Sequence, residues 1–133
     1  MLFKFVIAAL FIASPSLVRA QNVQAIYSFT NAAGANRLTL GTDGNFYGTT
    51  KAGGTSNYGT VFQVTTNGAF TTLYSFTFYG AQPTALTLGN DGNFYGMTFY
   101  GGTNGRGSVF QITTNGTLTT LDSFTTGSYP NGA

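Results

Sequence analysis

Apolar and polar positions alternate along this chain in short runs, and the runs return in the same order. Leu38-Thr39-Leu40 is a brief alternation. Asn45–Thr50 is rich in aromatic and β-branched residues. Thr60–Thr65 reads Thr-Val-Phe-Gln-Val-Thr, and Phe70–Phe76 follows. Each run predicts a strand. The gaps between them carry turn chemistry. Asp43-Gly44 tolerates the positive φ angles of a tight hairpin, and Asn67-Gly68 is the strongest short hairpin signal. Lys51–Tyr58, with Gly53-Gly54, predicts a loop. Together these predict a four-stranded antiparallel meander.

The meander occurs twice. Gly41-Thr42-Asp43-Gly44-Asn45-Phe46-Tyr47-Gly48 returns 48 positions later as Gly89-Asn90-Asp91-Gly92-Asn93-Phe94-Tyr95-Gly96. Leu38–Phe76 and Leu86–Phe124 align without a gap, and most positions are identical. A fixed period of this size signals a solenoid, a propeller or an array, because one unit cannot bury its apolar surface alone. Four strands per unit at this period match a β-propeller blade. A helical solenoid is excluded, since neither unit has a 3.6-residue apolar period. A parallel β-helix is the competing architecture, but its coils lack a hairpin dipeptide inside each turn. The expected fold is all-β, with propeller-type blades in an incomplete propeller. The tandem region spans 21–133, with full repeats over 38–77 and 86–125.

Gln24–Thr30 matches the fourth strand of the unit: Tyr27-Ser28-Phe29-Thr30 compares with Tyr74-Ser75-Phe76-Thr77. In closed propellers such an offset lets the first strand complete the last blade. Thr126–Ala133 enters another connection between units. A propeller closes with about 4–8 blades. Two units and one extra strand therefore predict either a piece of a longer protein or a ring closed by other chains. Sheets left open at the ends would show apolar faces to water.

The N-terminus changes the charge count. Lys4, apolar Phe5–Ala13, the break at Ser14-Pro15-Ser16 and Val18-Arg19-Ala20 form a secretory signal pattern over 1–20, with cleavage near Ala20-Gln21. The apolar run is too short to span a bilayer. The expected location is secreted or at the cell surface, with no membrane span in the mature chain. Without that segment, Arg37, Lys51 and Arg106 balance Asp43, Asp91 and Asp122. No basic stripe remains, so nucleic acid is not an expected partner. The chain has no Cys, so stability must come from strand pairing and aromatic packing.

Catalysis is not expected. The mature chain has no His, Cys or Glu, so a Ser nucleophile lacks a His base and transition-metal ligand sets cannot be built. Asp43-Gly44-Asn45 and Asp91-Gly92-Asn93 invite calcium, but Asp before Gly is what a tight turn wants, and one carboxylate per loop is too few. No cofactor or metal is expected. The Gly-rich segments are not phosphate loops, since no Gly-Lys-Ser/Thr follows. Asn115-Gly116-Thr117 matches a glycosylation sequon of low specificity.

Connections in a meander alternate between the two ends of the sheet. One rim therefore carries the nearly invariant hairpins. The other carries the differing loops, with Tyr58, Phe78, Tyr79, Phe99, Tyr100, Arg106 and Tyr129. Binding residues favour varied loops on a rigid scaffold. Exposed rings beside Asn, Thr and Gly suit stacking on a glycan, or contact with a cell-surface protein. The plainer reading is that these rings cover seams between blades. Phe46, Tyr47, Phe62, Phe76 and their counterparts one unit later are expected in the core.

The unit Leu-Thr-Leu-Gly-x-Asp-Gly-Asn-Phe-Tyr-Gly-x-Thr, then Gly-Gly-Thr, then Gly-x-Val-Phe-Gln-x-Thr-Thr-Asn-Gly and Leu-x-Ser-Phe, resembles the GloVer tandem repeat of the Gloeobacter/Verrucomicrobia type. The resemblance covers Ala25–Ala133. It implies bacterial exported proteins with many such repeats, often followed by a C-terminal anchoring segment, and it implies no defined activity. The Asp-Gly-Asn-aromatic core is also similar to NHL-type propeller blades, an analogy of fold alone. The few units and the missing anchor depart from that pattern and predict a fragment. The expected function is a non-enzymatic binding or surface scaffold. The alternatives are a purely structural spacer, or part of a larger propeller enzyme whose active residues lie in other blades.

Overall fold

The computed structural model describes residues 24–29, 34–77 and 82–125. The signal pattern over 1–20 and Phe78, Tyr79 and Tyr129 lie outside the described residues. Among the described residues eight strands occur: β1 (Thr39–Leu40), β2 (Phe46–Thr50), β3 (Thr60–Val64), β4 (Phe70–Ser75), β5 (Thr87–Leu88), β6 (Phe94–Thr98), β7 (Ser108–Ile112) and β8 (Leu118–Ser123). They form two four-stranded antiparallel sheets in simple sequence order. Among the described residues there is no helix, and the sheets do not close into a ring.

The hairpins differ in one respect from the expected tight turn. Gly44 N–H donates to Gly41 O at 3.1 Å, and Gly41 N–H to Asn45 O at 2.8 Å. Gly44 takes φ +81°, whereas Asp43 keeps a negative φ. Only the glycine visits the left-handed region, so the loop is a type I turn ending in a left-handed glycine. Thr65–Ala69 repeats the arrangement around Gly68.

Side chains alternate between two faces of each sheet. On the first sheet, Tyr47, Thr49, Val61 and Gln63 point to the rear, towards the second sheet. Phe46, Phe62 and Val64 point to the front. One core lies between the sheets: Tyr47, Val61 and Phe76 from the first unit meet Leu86, Phe94, Phe110 and Ile112 from the second. Tyr47 stacks at a tilt on Phe94, with centroids 4.2 Å apart, and Phe76 meets Phe110 edge-on at 5.5 Å. Neither sheet holds this core alone, as the repeat argument requires.

Polar groups complete the seam. Thr39 Oγ1 donates to Leu86 O at 2.7 Å, Thr49 Oγ1 to Thr84 O at 2.7 Å, and Asn36 Nδ2 to Pro83 O at 2.8 Å. Among the described residues no buried side-chain nitrogen or oxygen lacks a partner.

The outer strands are bulged. Val61 pairs with Tyr74 and Phe62 with Thr72, which leaves Leu73 as the extra residue. The bulge lets Leu73 and Tyr74 both pack against the core. It recurs between Val109 and Phe110 opposite β8.

Residues 26–29 occupy an informative place. Phe29 meets Phe62 edge-on at 5.3 Å, as Phe76 meets Phe110. Tyr27 and Phe29 stand 5.1 Å apart, as do Tyr74 and Phe76. A Cβ on Gly68 would press on Ile26 O, as one on Gly116 would press on Leu73 O. The segment thus sits on the first sheet as β4 sits on the second. It forms no ladder among the described residues.

The core expectation needs a correction at the two ends. Phe46, Tyr95 and Phe124 are only half-buried, whereas their counterparts Phe94, Tyr47 and Phe76 are buried. The sequences match; the difference is whether a neighbouring sheet covers that face.

Candidate functional site

The hairpin rim carries a network that each unit builds identically. The Asp43 carboxylate accepts from Asn45 N–H at 3.1 Å, Asn45 Nδ2 at 2.7 Å and Tyr47 Oη at 2.9 Å. Gln63, directly across from Tyr47 on β3, donates its Nε2 to Tyr47 Oη at 2.7 Å. Asp91, Asn93, Tyr95 and Gln111 repeat the set. The bond from Asp to the backbone two residues on shapes the turn. The bond from Tyr ties the turn to the sheet. Among the described residues no three His, Cys, Asp or Glu gather into a possible metal site. The aspartates are engaged in holding their own turns.

These bonds set the protonation behaviour. Burial pushes the Asp43 carboxyl up, but the bonds from Asn45 and Tyr47 outweigh it and hold it below the usual aspartate range. The Asn93 and Tyr95 side chains lower Asp91 in the same way. Burial, then the bond to Asp43, raises the Tyr47 phenol; the bond to Asp91, then burial, raises Tyr95. A carboxyl lowered on folding stabilises the fold above its unfolded value of about 3.9, and that contribution is lost as pH falls through the folded value. A phenol raised on folding stabilises below about 10, and its contribution is lost as pH climbs through the higher folded value. The melting temperature is therefore expected to be level between about pH 5 and 9 and to fall on both sides. The chain has no Glu and no His to add other steps. Asp43→Asn with Asp91→Asn should flatten the acid limb in a thermal melt series; an acid limb unchanged by that pair would remove the network from the account.

The opposite rim gathers part of the expected binding set. Tyr58 and Arg106 occupy equivalent places in the β2–β3 and β6–β7 loops, as do Lys51 and Phe99. Gln82 links the loops: its N–H donates to Tyr58 O at 3.2 Å, and its carbonyl accepts from Phe99 N–H at 3.3 Å. Gln82 reaches both with a φ of +61°, uncommon for a residue with a Cβ. Tyr58 is half-buried and packs against the core, so part of its ring fills the seam. Phe99 and Tyr100 are open to solvent, at 48% and 55% exposure, and Arg106 is exposed on the same loop.

A family model described as the Gloeobacter/Verrucomicrobia repeat matches residues 12–133. The chain belongs to this repeat family. Among curated proteins and among solved structures, none matches it. The Gloeobacter/Verrucomicrobia repeat is thus built here as a four-stranded sheet whose Asp-Gly-Asn turn, Tyr and Gln form one bonded unit. Gln63 and Gln111 escaped sequence reasoning. The available signal was a glutamine kept in the middle of an otherwise apolar strand in both units. Gln82 gave no signal, because its role comes from its backbone.

Proposed function

We propose that the chain is an exported, non-enzymatic scaffold of propeller-type blades whose loop rim contacts a glycan or a cell-surface protein. The blade reading is supported by the meander order and by the face-to-face sheets, in which β1 lies beside β5. First strands meet in this way around a propeller axis. Export is supported by the signal pattern over 1–20. A non-enzymatic role is supported by the residue inventory and by aspartates committed to their turns.

The observation that carries the binding role is the exposed Phe99-Tyr100 pair, with Arg106, on a loop held by two sheets. Flat apolar faces beside hydrogen-bonding groups suit sugar rings, which present C–H and O–H groups together. The test is a glycan array and a cell-surface pull-down with Phe99→Ala and Tyr100→Ala. Each is expected to weaken binding about tenfold, roughly 1.4 kcal/mol, with circular dichroism unchanged. Equal binding by wild type and variants would leave the spacer role instead.

A further inference from the structure

The two ends of the sheet stack are complementary to each other. The rear of the second sheet presents Tyr95, Met97, Val109 and Leu121, with Met97 at 39% and Leu121 at 52% exposure. Their counterparts one unit earlier, Tyr47, Thr49, Val61 and Leu73, form the rear half of the internal seam. The front of the first sheet presents Leu38, Leu40 and Phe46, which match Leu86, Leu88 and Phe94 on the receiving half of that seam. Both halves of a working interface are therefore repeated on the two outer faces of the described sheets.

We propose that the rear of the second sheet docks on the front of the first sheet of a second copy of this chain, head to tail. The register is that of the internal seam. Thr39 Oγ1 donates to Leu86 O within one chain; between copies, Thr87 of one takes that position opposite Leu38 of the other. Tyr95 lies against Phe46 as Tyr47 lies against Phe94. Such contacts are heterologous, so the assembly grows into a ring or a filament according to its rotation.

The copy of the seam is not complete. Met97 replaces Thr49 and cannot donate the bond that Thr49 gives Thr84 O. Asp122 replaces Tyr74 and is exposed. The contact between copies is accordingly weaker than the internal one. Residues 26–29 also hold part of the receiving face. Phe29 rests on Phe62 in the seat that Phe124 of the docking copy would take, as Phe76 rests on Phe110. Ile26 lies over Gly68 in the seat that Leu121 would take, as Leu73 lies over Gly116. The N-terminal segment thus competes with the second copy. This surface is separate from the loop rim, so loss of glycan or cell-surface binding has no bearing on it.

The test uses the full chain, which has no native cysteine. Two variants, Leu38→Cys and Thr87→Cys, are mixed and treated with a short bismaleimide. A covalent dimer is expected in the mixture and in neither variant alone, because the contact is asymmetric. Adding Leu121→Lys to both should abolish it, and adding Phe29→Ala should raise the yield several-fold. Circular dichroism checks that each variant is folded. No cross-link in the mixture with folded Phe29→Ala variants overturns the proposal. So does equal cross-linking of either variant alone, or a yield insensitive to Leu121→Lys.

Discussion

Phe94→Ala is expected to cost about 3–5 kcal/mol, the range for removing a buried aromatic from a core. Phe94 is 0% exposed and lies between the sheets, against Tyr47. Phe46 holds the same position in the first unit and is only half-buried. Phe46→Ala should cost about half as much, because less of its surface leaves water on folding. A domain of this kind is stable by about 5–15 kcal/mol, so the Phe94 loss is a large share of the whole. Urea unfolding of the two variants measures the difference. Equal losses would mean that each sheet is held by its own contacts, and the shared core would lose its role.

Gly107→Ala is expected to be the second large effect, at about 3 kcal/mol. A Cβ there would stand 2.3 Å from the backbone oxygen of Thr98, at a φ of +101°. The residue also closes its loop: its N–H donates to Gly101 O at 2.9 Å and its carbonyl accepts from Phe124 N–H at 3.0 Å. Gly105, two residues earlier, has φ +70° but open space around it. Gly105→Ala should therefore cost only the backbone term, about 1 kcal/mol. Thermal melts give the stability order, and Gly107→Ala should also lose rim binding, since Phe99, Tyr100 and Arg106 belong to that loop. Equal effects of the two substitutions would remove the close carbonyl as the cause.

The strands were legible because the physical signals agreed at every level. Asn45–Thr50 combined aromatics with β-branched residues between turn residues, and β2 runs from Phe46 to Thr50. The Asp-Gly dipeptide marked its hairpin correctly, though not the turn type, which depends on which residue takes positive φ. Burial was less legible. Phe46 and Phe94 have the same neighbours in sequence, yet only one has a sheet in front of it. Exposure on the loop rim was legible for Phe99 and Tyr100, whereas Tyr58 packs partly into the core. That packing exists only once the strands have come together, which no local pattern encodes. Gln63 was missed for the same reason: its bond to Tyr47 Oη exists only once β2 and β3 are in register.

The seat that Phe29 takes on Phe62, repeated by Phe76 on Phe110, bears on how such a gene can vary in length. Excising residues 31–77 would join Thr30 to Phe78 and set Phe29 against Phe110, where Phe76 had been. Every junction between modules would remain one the protein already makes. A module can therefore be added or dropped at this junction without inventing a new contact.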